Sequence, residues 1–545
     1  MEYFTPIDNL LRHTKSHPDE VLMNQPVNRE WHQFTWRNVE HQARCIASGL
    51  KAQHYEKGSK IGILSKNCAE WIIADLAIMM AGMVSVPIYA TANTRTISYV
   101  IEHSDIKAVF IGKLDDTNPA EEAIPKNVLR IAFPYPTVNA RVNFSDWLID
   151  FKPLSVINMP LINDMATIVY TSGSTGDPKG VVLTYKNLAS AAQHSSIAIK
   201  FKDSDRVLSY LPLAHVTERS FEFVSLYVGF ELFFSESFDT FIDDLKYAKP
   251  TAFYSVPRLW SIFQSRVLTK IPQNKLNILL AIPVVGRFVA YKIRSELGLQ
   301  HVTIFGSGSA PIAKSLLKWY QKLRMPICEG WGMTETSGMS CGNFPWSEKN
   351  IGTIGVPIDC VEMKLSAEKE ILIRGDAVFS DYYLNPEATA ASFTHGWFHT
   401  GDIGEINDEG VYNIIGRIKE QFKTGKGKYV APVPIESALS ASLDIEQVCV
   451  IGIGLKQPIA LVVLAGLLNR KDVAVENRLK CFLKTVNDEL EVHQKVDYLF
   501  LCKSEWTIEN NCLTPTMKIK RNVLEQKYGN LIPNSPDAKV VWEEE

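Results

Sequence analysis

The sequence predicts an α/β protein with two parts. A large N-terminal domain, residues 1–417, holds doubly wound α/β sheets and a small β-rich subdomain over about 360–417; a smaller α+β domain follows over 418–545. Three observations predict this. From Lys60 onward, apolar strand-like segments alternate with helix-like ones, the pattern of a mostly parallel sheet covered on both faces. Between Cys360 and Gly416 short strands and turns replace the helices. After Lys419 a lysine- and glycine-rich loop, "KTGKGKYVAP", leads into a compact mixed region.

The elements follow in order. "KIGILS" (60–65) reads as a strand, "CAEWIIADLAIMMAG" as a helix, and "VSVPIY" and "KAVFIG" (107–112) as further strands. "TIVYT" is a strand that runs into a loop. "HVTIFG" (301–306) leads into the helix-like "AKSLLKWYQKLR" and then "MPICEGW". The short strands of the β-rich part are "VEMKLS", "EILIRG" and the long turn-rich "GWFHTGDIGEINDEGVYNIIG".

Composition narrows the function classes. With 57 basic and 60 acidic residues the chain has a net charge of −3, so no global basic field draws it to nucleic acid. Nine scattered cysteines, never spaced C-x-x-C, fit neither a disulfide framework nor a zinc site and point to a reducing, cytoplasmic setting. The N-terminus has no continuous apolar core of a signal peptide. No stretch reaches the ~20 apolar residues of a membrane helix. The nearest, "NILLAIPVVGRFVAY" (277–291), is broken by Pro283 and Arg287 and reads as a buried or kinked surface helix, or as a patch that touches a membrane.

The loop in "VYTSGSTGDPKGVVLT" (169–184) carries the first chemical signal. Gly173 and Gly176 allow backbone N–H groups to turn inward. Thr171, Ser172, Ser174 and Thr175 add hydroxyl donors, and Lys179 adds a charge, together a cradle for a polyanion at a strand end. The spacing is not that of a P-loop NTPase, which needs Gly-Lys-Ser/Thr in direct succession.

The string T-S-G-S-T-G-x-P-K-G resembles the signature loop of the adenylate-forming superfamily, which includes acyl-CoA synthetases, nonribosomal-peptide adenylation domains and luciferases. Further motifs of that family occur in its order from Lys60 to about Arg521. "GSGSAPI" (306–312) resembles the segment that lies against adenine, which implicates Gly308, Ser309, Ala310 and Pro311. "EGWGMTET" (329–336) resembles the aromatic-Gly-x-Thr-Glu motif. The resemblance implies that Trp331 and Gly332 meet the adenine, Thr334 the α-phosphate, and Glu335 the magnesium. "HTGDIG" supplies Asp402 and "GRIKEQFK" supplies Arg417 as ribose contacts, with Lys419 at the hinge position. "LTPTMKIKR" supplies Lys518 as the catalytic lysine.

The stretch 395–436 is similar to the fatty-acyl-CoA synthetase signature, and "YSVPRLW" and "PLAHVTER" look like its long-chain branch. His395 and Ile406 depart from it. The resemblance implies ATP, Mg2+ and CoA as cofactors and a fatty acid as substrate. It also implies a C-terminal domain that is mobile and acts as a lid, His215 near the acyl pocket, and peripheral membrane contact. Trp260 is a further candidate for contact with the chain. Beside the CoA ligase stand an oxygenase of the luciferase type, which the shared motifs also admit given an oxidisable substrate, and two further readings. One is an acyl-AMP ligase that loads an acyl carrier protein. The other is a catalytically silent acyl- or nucleotide-binding protein. Oligomeric state is not readable from the sequence.

Overall fold

The computed structural model describes residues 2–135, 139–171, 178–466, 472–508, 510–514, 517–533 and 536–544. Its first sheet has seven strands, ordered Val142–Asn143, Leu129–Ala132, Ile106–Gly112, Lys60–Ser65, Val84–Ile88, Met165–Thr171 and Lys179–Thr184. All pairings are parallel except the last, in which Met165–Thr171 and Lys179–Thr184 form an antiparallel hairpin. The glycine- and hydroxyl-rich loop is the connection of that hairpin. Its residues Ser172, Gly173, Ser174, Thr175 and Gly176 lie outside the described residues.

Both faces of this sheet are covered: Leu64, Val86, Val109 and Ile111 pack into one core, and Ile61, Ile63, Ala108 and Phe110 into another that contains the helix Ala69–Met80. Every residue of that helix is buried, as expected for a helix apolar on all sides and enclosed by protein. Its one carboxylate that faces the deep core, Asp75, accepts two 2.7 Å bonds from Arg219 Nη2, which also donates to Ser85 Oγ. A buried charge of this kind persists only when it is paired and hydrogen-bonded.

A second sheet joins Arg206–Ser209, Glu231–Phe234, Val21–Val27 and Glu30–Thr35. A third runs Ala252–Ser255, Ile304–Ser307, Ile327–Met333, Gly338–Gly342 and Val356–Pro357. The β-rich part is an antiparallel sheet of Val361–Leu365, Glu370–Gly375, Trp397–Ile406 and Phe393–Thr394, with Tyr412–Arg417 paired to Trp397–Ile406.

Beyond it, Ile445–Ile451, Ile459–Leu464, Leu499–Leu501 and Val540–Trp542 form a sheet of their own. Strand alternation sends Val448, Val450, Val462 and Leu499 into one core and Cys449, Ile451, Leu461 and Phe500 into another, so both faces of this sheet are covered.

All nine cysteines are free, eight of them buried. Among the described residues no helix is long and apolar enough to cross a membrane. The segment 277–291 is not one helix and not buried. It spans the junction of two helices, Gln273–Ala281 and Pro283–Glu296, which break at Ile282–Pro283 where proline removes a backbone donor.

Candidate active site

Asp402 is the fixed point of the site. Along Trp397–Ile406 the inward positions are Phe398, Thr400, Asp402 and Gly404, so the period of the strand alone turns this carboxylate inward, where it is 1% exposed. Oδ1 accepts from Arg417 Nε at 2.7 Å, and Oδ2 accepts from Trp331 Nε1 at 2.9 Å. Arg417 is also the backbone partner of Asp402 across the antiparallel pair. Burial works against the arginine's charge, but Asp402 and Glu420 outweigh it and hold the guanidinium above its ordinary value.

The turn before Asp402 is held by a residue the motifs do not single out. Glu370 Oε1 accepts from Gly401 N at 2.9 Å, and its Oε2 lies 2.7 Å from His399 Nδ1. Thr400 Oγ1 donates to Ile371 O and accepts from Asp402 N.

Trp331 comes from Ile327–Met333. After it the chain packs so closely on its neighbour that a Cβ at Gly332 would stand 1.7 Å from the Gly338 carbonyl oxygen, and only glycine fits. A short 3₁₀ turn, Thr334–Thr336, follows and buries both Thr334 and Glu335. Glu335 Oε1 accepts from Tyr382 Oη at 2.9 Å. The ring of Tyr382 in turn lies beneath Lys179 Nζ, 4.8 Å from its centroid. Lys179 faces Thr171 across the hairpin, and Tyr383 N donates to Gly180 O at 2.7 Å. One tyrosine therefore joins the lysine of the phosphate-type loop to the candidate metal carboxylate. The sequence shows it only as part of "DYYLNP", which carries no spacing signal.

The segment from Gly308 forms another wall. A Cβ at Gly308 would lie 2.0 Å from Tyr254 Oη and 2.6 Å from Gly330 O, so this backbone sits directly on the strand that carries Trp331. Ser309 adopts φ 65°, and its Oγ is 3.2 Å from Thr217 Oγ1. Ala310 and Pro311 are exposed. His215 caps the helix Val216–Val228: its Nδ1 accepts from Thr217 N at 3.2 Å, which places the ring proton on Nε2. Burial first, and the Lys518 cation second, push its pKa down to about 3, so the imidazole is neutral at pH 7.

Lys518 reaches this region from the C-terminal sheet's side. Thr514 closes the turn that presents it, with Thr514 N donating to Lys518 O (2.8 Å) and Lys518 N donating to Thr514 Oγ1 (3.0 Å). Crowding by protein, and then Arg417, lower the lysine's pKa against the pull of Asp402, Glu420 and Glu335. Lys518 thus lies in the field of the same side chains that the N-terminal sheets bring together. Lys419 is exposed, in the short turn Ile418–Glu420 that leaves the β-rich sheet.

Two other positions differ from the motif residues. Trp260 is fully buried among Phe253, Phe263 and Tyr320, a core residue with no free face for a substrate. Glu329, two residues before Trp331, accepts from Gly352 N at 2.7 Å, and burial raises its pKa to about 8. A 310 Å³ cavity between the helices Pro257–Lys270 and Lys314–Lys322 and the loop at Ser440–Leu443 holds none of the motif residues.

The AMP-binding enzyme family matches residues 10–383, and the AMP-binding enzyme C-terminal domain matches residues 420–535. The chain is similar to long-chain-fatty-acid–CoA ligase FadD15 of Mycobacterium bovis, with 30% identity over 96% of this chain and 95% of the relative. It is also similar to fatty acyl-CoA synthetase A of Dictyostelium discoideum, with 30% identity over 90% of this chain and 84% of the relative. Its fold is that of the anthranilate CoA ligase AuaEII, solved with anthranoyl-AMP, at a TM-score of 0.80 and 20% identity over 96% of this chain and 97% of that one. By its sequence over both matched regions and by its fold, the chain belongs to the AMP-binding enzyme family.

Proposed function

We propose that this protein joins a fatty acid to CoA in two half-reactions. The fatty carboxylate and ATP give an acyl-adenylate and pyrophosphate; the CoA thiol then takes the acyl group and releases AMP. One observation carries the reading. Trp331, Asp402, Arg417 and Glu335, drawn from two sheets and a turn, share one electrostatic neighbourhood with Lys518 from the C-terminal region. The names of the near full-length relatives supply the substrate class.

Each residue has a role in this reading. The indole N–H of Trp331 is committed to Asp402, which leaves the ring face for adenine. Both oxygens of Asp402 accept protein donors and keep further lone-pair capacity for ribose hydroxyls, with Arg417 beside them. The hydroxyl of Thr334 and the loop from Thr171 to Lys179 contact phosphate oxygens.

In the first half-reaction a carboxylate oxygen bonds to the α-phosphorus, and the bond from that phosphorus to the bridging oxygen breaks. Pyrophosphate leaves with the electron pair. Lys518 supplies fixed positive charge to the incoming and departing oxygens, where a preorganised donor acts most strongly. In the second, the CoA thiol adds to the acyl carbon and AMP departs.

Glu335 fits a magnesium ion. Its buried carboxylate has one oxygen taken by Tyr382 and no hydrogen bond to the other among the described residues, and magnesium takes few protein carboxylates and several phosphate and water oxygens. When bound, the ion lowers the repulsion between the reacting anions and stabilises departing pyrophosphate.

Residues 1–417 and 418–545 act in this proposal as body and lid, turning at Lys419 between the half-reactions. Because the substrate is sparingly soluble, contact with a membrane face belongs to the same proposal.

The test is ATP–pyrophosphate exchange by the full chain over a series of alkanoic acids, with and without CoA. Exchange without CoA, and acyl-CoA plus AMP with it, are expected. No AMP or pyrophosphate with any acid tried overturns the reading. Thioester formed on a carrier protein's phosphopantetheine but not on CoA overturns the acceptor.

A further inference from the structure

The helix Pro283–Glu296 is apolar on two opposite sides, and only one of them is packed. Gly286, Ala290 and Ile293, spaced i, i+4, i+7, are buried. Val284, Phe288 and Tyr291 have the same spacing on the far side and are 80%, 66% and 51% exposed. At the tip and on the preceding helix, Ile282 and Ile278 add 47% and 66% exposed side chains. The two helices are locked together. A Cβ at Gly286 would lie 2.5 Å from the Leu280 carbonyl oxygen, so the exposed stripe is held on a rigid wedge.

The charge of this wedge is opposite to that of the whole chain. Between residues 266 and 296 six Lys and Arg stand against one carboxylate, Glu296, in a protein of net charge −3. Glu296 lies 4.0 Å from Lys270, whereas the exposed Lys275, Arg287 and Lys292 make no ion pair among the described residues. Arg287 and Lys292 flank the exposed apolar stripe, one on each side.

We propose that this helical hairpin docks the protein on an anionic lipid bilayer. Val284, Phe288 and Tyr291 enter the boundary between headgroups and acyl chains, and Lys275, Arg287 and Lys292 lie at the lipid phosphates. An apolar stripe bordered by cations, on a helix too short to span, is the pattern of an element that lies in the membrane plane. A second copy of the chain is the poorer occupant. Two-fold pairing through this face would bring two unneutralised sets of cations together. The hairpin continues directly from the helix Pro257–Lys270, which begins just past Tyr254, the residue against Gly308 at the site wall. The use of this contact, delivery of a membrane-dissolved acid, rests on the fatty-acyl reading above; the contact itself does not.

Flotation of the full chain with vesicles tests it. Vesicles of phosphatidylcholine mixed with phosphatidylglycerol should retain the protein and release it as salt rises, and phosphatidylcholine alone should retain little. Val284→Asn with Phe288→Asn, and separately Arg287→Glu with Lys292→Glu, should each lower partitioning about ten-fold or more. All variants should convert water-soluble octanoate at the wild-type rate without vesicles, which shows that they are folded. Wild-type partitioning by both double variants, equal retention on both lipids, or no retention on either overturns the proposal. So does a hairpin-dependent dimer in sedimentation velocity that the apolar variant dissolves. Vesicle binding by a protein inactive on every acid would sink the fatty-acyl reading and leave the docking surface standing.

Discussion

Trp331 donates its indole N–H to Asp402 Oδ2 at 2.9 Å, although the two residues are 71 positions apart and belong to different sheets. The ring proposed for adenine and the carboxylate proposed for ribose are therefore one unit. Trp331→Phe keeps a ring but takes a donor from a buried carboxylate, a loss of about 1–3 kcal/mol. ATP affinity measured by titration should fall by roughly ten-fold or more, with a lower melting temperature. Unchanged ATP affinity would separate the pair from nucleotide binding.

Lys518 sits in the field of Arg417, Asp402, Glu420 and Glu335. Removing a preorganised donor of this type costs about 3–4 kcal/mol, so Lys518→Ala should slow pyrophosphate exchange a hundred-fold or more. Thioester formation from supplied acyl-adenylate should change far less. Because the lysine's pKa is lowered, the rate should also decline at a less alkaline pH than an ordinary lysine would give. Exchange by the alanine variant at the wild-type rate would remove Lys518 from the chemistry.

Arg258, in the first turn of Pro257–Lys270, donates to Glu505 and lies 3.6 Å from Glu446, both in the C-terminal region. These ion pairs hold that region in the position where Lys518 approaches Asp402. Arg258→Gln should lower adenylation about two- to five-fold, the worth of a partly exposed pair, and spare thioester formation. Lys419→Pro should do the reverse, sparing adenylation and impairing thioester formation. Single-turnover assays of each half-reaction give the comparison. Equal losses in both half-reactions for Lys419→Pro would reject the hinge.

Glu218 is buried on the helix Val216–Val228, and burial raises its pKa to about 8 from 4.5, despite bonds from Ser209, Tyr210 and Leu211. The folded state therefore keeps a proton that the unfolded chain releases once the pH passes 4.5. Stability falls across that window and falls no further above about 8. Glu218→Gln removes the titration. Relative to wild type it should gain about 5 kcal/mol at pH 9 over its difference at pH 4. Urea unfolding at the two pH values measures the change, and identical pH dependence in the two proteins would refute it.

The sequence by itself determined the fold class, because strand and helix periods are local. It also determined the order of the motifs. The inward turn of Asp402 follows from strand alternation, and the loop between Thr171 and Lys179 is legible from its glycines and hydroxyls. Only the tertiary structure decided which distant groups meet. Tyr382 reaches Glu335 across 47 positions, and Glu370 reaches Gly401 across 31. No local spacing encodes either. The same limit explains Trp260 and the segment 277–291. An apolar side chain looks alike in sequence whether it is packed or bare, and only the surrounding sheets settled that Trp260 is core while Val284 and Phe288 face outward.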